Sequence, residues 1–302
     1  MNIKNIIKKN ENFTSFYRNI RYFYLKSFVS DERLIRKQFR KIVGRELDLN
    51  NPVYFNDKLQ WLKVNWYDPI ATMCADKFEV RNFVKEQIGE KYLNELYAVY
   101  DSVDEIDIKK LPDSFVLKGT HGSGSNLICK DKNSIDWNKQ VKIMKGWLNK
   151  NLYWYYREWV YKDIKPRIVC EKYMSEGLGT NSLTDYKFFC FNGEVKYCQV
   201  IRGRGINETI DFYDIDWNHM PFTGLRPLPN SKETYLKPKK YNEMLDLAKK
   251  LSESFPFVRV DFYYVNEEII FGELTFFPRS GYGSFYPTEW DKKIGDLLTL
   301  NK

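Results

Sequence analysis

An α+β fold is what this 302-residue sequence predicts, on three observations. Apolar residues recur at helical spacing in several segments. Two stretches read as strand pairs joined by tight turns. The two kinds of segment never settle into the βαβ alternation of a doubly wound sheet. With 43% hydrophobic and 17% aromatic residues, the chain is globular and long enough to bury a full core.

The elements follow in order. Residues 1–50 hold 12 Lys/Arg against 5 Asp/Glu, a net of +7 that leaves +1 for residues 51–302. Such a basic arm suits contact with an acidic membrane surface, nucleic acid or an anionic polymer. Its aromatic cluster "FYRNIRYFY" favours a membrane surface or a glycan over nucleic acid. The plainer alternative is a solvated, partly helical extension packed on the domain. The N-terminus lacks a continuous apolar core, so no secretory signal is expected, and no run nears the ~18 apolar residues that span a bilayer.

"NPVYFNDKLQWLKVNWYD" reads as a helix with Phe55, Leu59 and Leu62 on one face, and "CADKFEVRNFVKEQIG" as a second helix ended by Gly89. "ELYAVY" and "SFVLKG" are strands. "SIDWNKQVKIMKGWLNKN" is a helix carrying Trp137, Val141, Met144 and Leu148 on one side, and "RIVCEKYM" is a buried strand. In "DYKFFCFNGEVKYCQVI", Asn192-Gly193 joins two alternating runs, a strong two-residue hairpin signal. "KYNEMLDLAKKLSESF" is amphipathic, "PFVRVDFYYVNEEIIFGELTFFP" is a strand pair turning near Asn266, and a last helix starts near Thr288.

Five scattered cysteines without a C-x-x-C pair argue against a zinc site or disulfide framework and fit a reducing cytosol. Only two histidines rule out a multi-histidine metal site. Candidate chemistry lies elsewhere. In "FVLKGTHGSGSNLICK", Lys118 precedes a loop of small residues that lets backbone N–H groups approach phosphate oxygens. The order is wrong for a Walker A loop, so this is a phosphate loop of another design or only a hairpin. Asp261 and Glu273 lie on adjacent strands of one hairpin, where their carboxylates can converge. Oxygen-only ligands suit Mg²⁺, and both acids sit in apolar runs where an unpaired carboxylate is costly. Thr275 and Arg259 share their faces by the two-residue period of a strand. Lys187 can reach a phosphate or simply face solvent, Glu171 can meet an adenine amino group or a structural cation, and His121 can serve as phosphate donor or acid/base.

Taken in order, Lys118, the Gly/Ser loop, Glu171, Lys187, an Arg-x-Asp and a Glu-x-Thr-x-x-Pro resemble the ATP-grasp superfamily. More narrowly, "FNDKLQWLK", "ADKFEVRNFVKEQIGEKYL", "FVLKGTHGSGSNLIC", "DYKFFCFNGEVKY" and "ELTFFPRSGYGSF" are similar to the TupA-like ATP-grasp proteins. That family is named for a teichuronopeptide biosynthesis protein and occurs among cell-surface polysaccharide genes. The likeness runs from about Asn51 to the C-terminus and leaves residues 1–50 outside it.

The resemblance implies ATP clamped between two α+β subdomains, after a helical basic extension over residues 1–50. Within 51–302 it implies an N-terminal subdomain over 51–110, an ATP lid over 111–170 and a catalytic subdomain over 171–302. Lys77 and Lys118 match nucleotide lysines, and Gly119, Gly122, Ser123, Gly124 and Ser125 a mobile loop over the triphosphate. Glu171, Lys172 and Tyr173 fall at the adenine hinge. Lys187 matches a second nucleotide lysine, Asp261 and Glu273 the Mg²⁺ ligands, and Arg259 the arginine that steadies an acyl phosphate. Thr275 stands where many members have asparagine and still offers an oxygen. Arg279, Ser280 and Gly281 follow, at the expected acceptor pocket.

The implied activity is a carboxylate–amine ligase that uses ATP and Mg²⁺. Its substrates are an acid and an amine, plausibly a uronic acid and an amino acid or other amino compound on a surface glycan. The expected place is the cytoplasm, with contact at the inner membrane face through residues 1–50 as one option and nucleic acid disfavoured. The alternatives are a glycosyltransferase using Asp214-x-Asp216, a kinase-like phosphotransferase on the same ATP site, and a binder of nucleic acid or anionic glycan.

Overall fold

The computed structural model describes residues 24–175 and 183–300. Helix α1 (Asp31–Val43) lies in the basic extension, followed by α2 (Phe55–Asn65), α3 (Pro69–Ala75) and α4 (Val80–Gln87). Strands β1 (Leu96–Tyr100), β2 (Phe115–Gly119) and β3 (Asn126–Cys129) come next, then α5 (Trp137–Leu148), the single turn α6 (Tyr153–Tyr156) and β4 (Ile168–Lys172). The C-terminal part runs β5 (Asp185–Phe191), β6 (Glu194–Arg202), β7 (Thr209–Tyr213), β8 (Thr223–Gly224), α7 (Tyr241–Ser252), β9 (Phe257–Val265), β10 (Glu268–Thr275), β11 (Phe285–Tyr286) and α8 (Glu289–Gly295).

Two antiparallel sheets carry the architecture. One has the order β1-β4-β2-β3 and the other β10-β9-β5-β6-β7. The first sheet takes β1 from before residue 111 and ends on β4 at Lys172, so its strands extend to both sides of the expected 111–170 segment. The hairpin signals hold: Asn192 and Gly193 adopt φ 49 and 80, and Asn266 and Glu267 adopt φ 52 and 64. These left-handed pairs twist with the strands they join. Strand β5 is buried at every position and sits at the centre of its sheet, which packs on α7 through Phe188, Tyr241 and Met244.

The helix expected from Cys74 breaks. Its first part ends at Ala75, and α4 begins only at Val80. The Asp76 carboxylate accepts from the backbone N–H of Phe78 at 2.8 Å and pairs with Arg167 at 3.0 Å. The Lys77 N–H donates to the Thr120 carbonyl at 3.2 Å. The Asp76 side chain and the Thr120 carbonyl thus take backbone N–H groups a continuous helix would have used, and the interruption sets Lys77 beside the Gly/Ser loop.

The described part of the basic extension packs on the domain. Ile35, Phe39, Leu47 and Leu49 form a small core with Tyr282, and Gln38 donates to the Tyr155 carbonyl at 2.7 Å. Most of the aromatic cluster noted near the N-terminus lies outside the described residues. No helix among the described residues is long and apolar enough to cross a membrane.

Candidate active site

The site starts from strand pairing. Antiparallel register sets Glu273 opposite Asp261, Asp261 opposite Lys187, and Lys187 opposite Gln199. Directly paired residues point to the same sheet face, so one row carries acid, acid, base and amide across four strands. The register shifts between Phe271 and Glu273, so Gly272 forms an irregularity beside Glu273. A Cβ on Gly272 would lie 3.0 Å from the Asp261 carbonyl, so a side chain there would require the strands to shift by a few tenths of an ångström.

Around this row the charges interlock. Arg259 Nε and Nη2 donate to Asp261 Oδ1 and Oδ2, both at 2.7 Å, and Nη2 also reaches Thr275 Oγ1 at 3.0 Å and Glu273 Oε1 at 3.3 Å. Lys187 Nζ donates to Asp261 and lies 3.1 Å from Asp185 Oδ1. Burial works against the Arg259 charge, but Asp261 and Glu273 outweigh it and raise its pKa. Burial likewise pushes the Glu273 carboxyl up, yet Lys77, Lys187, Arg259 and the Thr275 hydroxyl hold it at about 2. Glu273 is therefore an anion throughout the physiological range.

Whether these residues suit Mg²⁺ turns on their free oxygens. Three of about four acceptor directions on Asp261 are taken by Arg259 and Lys187. Glu273 is 39% exposed and opens onto a cavity. With the Thr275 hydroxyl beside them, the donors are all hard oxygens, which fit Mg²⁺ that keeps several of its waters. No cluster of three metal-ligating side chains occurs among the described residues, so a closed protein cage does not form here.

A narrow crevice between the sheets lies on one side. Lys77, Arg81, Lys118, Glu171 and Gly272 line it, and its volume is about 10 Å³. Lys118 Nζ donates to Glu171 Oε2 at 2.7 Å, and Arg81 lies 3.9 Å from Glu171 Oε1. Lys77 Nζ donates to the Gly122 carbonyl at 2.5 Å, clipping the loop from inside. Burial pushes the Lys77 ammonium down against the pull of Glu273. In this state the crevice is closed by its own ion pair.

On the other side is a cavity of about 570 Å³, lined among others by Ser123, Glu158, Arg259, Glu273, Arg279 and Tyr286. Ser123 comes from the loop between β2 and β3, so the loop reaches from the crevice to this cavity. Gly119 is buried, Gly124 has φ +77, and Ser125 accepts from the Gly119 N–H at 2.8 Å. Arg279 and Ser280 occupy consecutive left-handed positions, φ 52 and 56, at about 1 kcal/mol or more each. They are gripped from α2: Gln60 Nε2 donates to the Ser280 and Gly281 carbonyls at 3.0 and 2.6 Å, and Lys63 Nζ to Ser280 at 2.7 Å. Asn56 Nδ2 donates to the Gly283 carbonyl at 2.9 Å.

Other candidates are placed elsewhere. His121 Nε2 bonds the Trp147 carbonyl at 2.9 Å, and burial lowers its pKa. It lines neither space and contacts no site carboxylate, and its bond to Trp147 anchors the loop to α5. Lys172 points away from Glu171, as alternation along a strand requires, and pairs with Glu95 at 3.3 Å. Tyr173 is partly buried just beyond β4. Asp214 accepts from the N–H groups of Asp216 and Asn218 at 3.0 and 2.8 Å, so that acid pair shapes a turn.

Sequence reasoning missed Asp185, Arg81 and Glu158. The first two carried a signal: Asp185 is two residues before Lys187 on one strand face, and Arg81 is four residues after Lys77. Glu158 carried none.

No curated protein sequence matches the chain. Among solved structures it is similar to a D-alanine–D-alanine ligase from Bacillus anthracis complexed with ATP, at 13% identity over 67% of this chain and 53% of that one, TM-score 0.37. It is similar to the D-alanine–D-alanine ligase of Helicobacter pylori at 10% identity, over 83% of this chain and 69% of that one, TM-score 0.41. A third is the ATP-grasp ligase PsnB complexed with a phosphomimetic variant of its minimal precursor, Mg and ADP, at 9% identity over 80% and 63%, TM-score 0.41. The chain spans little more than half the length of the first of these. The family model described as TupA-like ATPgrasp matches residues 57–299, most of the sequence. The chain belongs to the TupA-like ATP-grasp family and has its α+β fold.

Proposed function

We propose that this protein is an ATP-dependent carboxylate–amine ligase that forms an amide through an acyl phosphate. The observation that carries the reading is the charged row Glu273–Asp261–Lys187 with Arg259. It stands between a lysine-lined crevice and a cavity large enough for a second substrate.

In this reading the crevice takes the nucleotide. Lys118 exchanges its bond to Glu171 for phosphate oxygens, and Lys77 and the loop over 120–125 close above them. The first step joins the substrate carboxylate to the γ-phosphorus and releases ADP. The second lets an amine attack the acyl carbon and expel phosphate. Both steps gather negative charge on oxygen, so fixed cations serve better than a protein nucleophile. Arg259 and Lys187 supply them, held in place by Asp261 and Asp185. Asp261 and Glu273, beside Thr275, would hold magnesium, which would supply positive charge against the phosphates. The acid and amine are assigned to a cell-surface glycan, a uronic acid joined to an amino compound, by the family's setting alone. Docking at the inner membrane face through residues 1–50 is part of the same proposal.

Calorimetry with ATP, with and without Mg²⁺, tests the reading. Tight binding that needs Mg²⁺, followed by ADP release only when an acid is added, supports it. Absence of ATP binding by the folded protein would overturn it.

A further inference from the structure

The charged network does not stop at Lys187. Asp185 is buried, and its carboxylate holds a second cation: Arg204 Nε donates to Oδ2 at 2.6 Å, while Lys187 Nζ lies 3.1 Å from Oδ1. The contacts alternate in sign as Arg204–Asp185–Lys187–Asp261–Arg259–Glu273. The two ends reach solvent, Arg204 with 44% of its side chain exposed and Glu273 with 39%. The four side chains between them are 11% exposed or less.

Arg204 comes from the connection between β6 and β7, and local geometry fixes where it stands. Gly203 has φ +65, and a Cβ there would collide with the Asn207 carbonyl, so the turn requires glycine. The Ile206 N–H closes the turn on the Gly203 carbonyl at 3.0 Å. At the far end Arg226 binds Glu208 through both its terminal nitrogens. The neighbouring Arg202 is placed differently, with its guanidinium 3.9 Å from the centre of the Tyr235 ring.

Asp185 leaves the outer half of the Arg204 guanidinium free. Nε takes the carboxylate, and among the described residues Nη1 and Nη2 have no hydrogen-bond or ion-pair partner. An arginine held at Nε by a buried acid is fixed in orientation and presents a fork of parallel N–H donors, the geometry that suits phosphate. In the ligase reading the other end of the chain, Glu273, faces a metal. Magnesium polyphosphate needs both kinds of partner, an anion for the metal and cations for the phosphates. Glu171, expected at the adenine, lies on the other sheet, so Arg204 stands with the phosphate end of the nucleotide.

We propose that Arg204 is a nucleotide-binding residue whose Nη1 and Nη2 receive the terminal phosphoryl group of ATP. The inference rests on the ligase reading and adds to it a cation that neither the strand pattern nor the family resemblance pointed to. Asp185 is then a positioning residue, which holds Lys187 and Arg204 at a fixed separation through its two oxygens.

The test uses the full chain and two probes in the presence of Mg²⁺, the β,γ-imido analogue of ATP and ADP, each titrated by calorimetry. Arg204→Ala should weaken the analogue by about tenfold or more, the worth of a charge-assisted pair, and leave ADP within about twofold of wild type. Arg204→Lys keeps a cation for Asp185 but lacks the two terminal nitrogens. It should show the same selective loss, and it serves if the alanine variant unfolds. Urea unfolding reports which variants fold. Equal weakening of both nucleotides would make Arg204 a strut for Asp185 and overturns the inference, as does unchanged analogue affinity in a folded variant. Loss of the fold in Arg204→Lys overturns it too, since the arginine would then be structural. Each of these leaves the ligase reading standing, whereas failure of the wild type to bind either nucleotide overturns that reading itself.

Discussion

Replacing Glu273 by Gln separates the charge of this carboxylate from its shape. The surrounding cations hold it at about 2 against an ordinary 4.5, despite burial that pushes it up. Fully shielded, that displacement corresponds to about 3 kcal/mol of stability. The side chain is 39% exposed, and solvent screening reduces the figure to about 1 kcal/mol. Because the folded-state value lies below the unfolded one, the contribution is fully present above 4.5 and is lost as pH falls toward about 2. Glu273→Gln should therefore lose about 1 kcal/mol in urea unfolding at neutral pH, and the gap to wild type should close in acid. Catalysis should suffer far more, by about a hundredfold or beyond in ADP release, since charge stabilisation acts at the reacting phosphate. The paired assay is urea unfolding and ADP release on one preparation. A folded variant that keeps its turnover would refute the placing of metal and phosphate charge on this carboxylate. A variant that loses several kcal/mol would instead make Glu273 a structural counter-ion of Lys77, Lys187 and Arg259.

Lys118→Ala removes the ammonium paired with Glu171 in the crevice, and ATP affinity should fall about tenfold or more; unchanged affinity by calorimetry would sink the loop assignment. Gln60→Leu takes the side-chain donor from the Ser280 and Gly281 carbonyls and should cost about 2–4 kcal/mol in chemical denaturation. A cost near zero would show that the acceptor loop finds other donors. Gly281→Ala meets φ +65 and puts a Cβ 2.4 Å from Gln60 Nε2, so a loss of about 1–3 kcal/mol is expected. An unchanged melting temperature would show that Gln60 yields without consequence.

The strand pairs were the most legible part of the fold. Asn192-Gly193 and Asn266-Glu267 sit between alternating runs, and local turn chemistry fixes such pairs whatever the rest of the chain does. The two acids were legible as neighbours on adjoining strands, but plain counting from the turn sets Asp261 opposite Gly272; the irregularity at Gly272 shifts the register by one and pairs Asp261 with Glu273. The break at Asp76 was not legible, because the partners that stop the helix, Thr120 and Arg167, lie far along the chain. The anchoring of His121 was not legible for the same reason: its neighbours in sequence are loop residues, whereas its Nε2 bonds the Trp147 carbonyl on α5.

The sequence by itself determined the mixed α+β class, both hairpins, the lysine ahead of a small-residue loop and the two acids on adjoining strands. Each depends on spacing within one segment or across one turn. Tertiary structure decided what those groups are attached to. It made Asn56, Gln60 and Lys63 of α2 into donors for the loop that follows Thr275, although the apolar positions of that helix announced only a core face. It also turned Glu158 toward the cavity beside Arg279. Periodicity reports which face of an element is buried, but not which distant backbone a buried polar side chain will meet there.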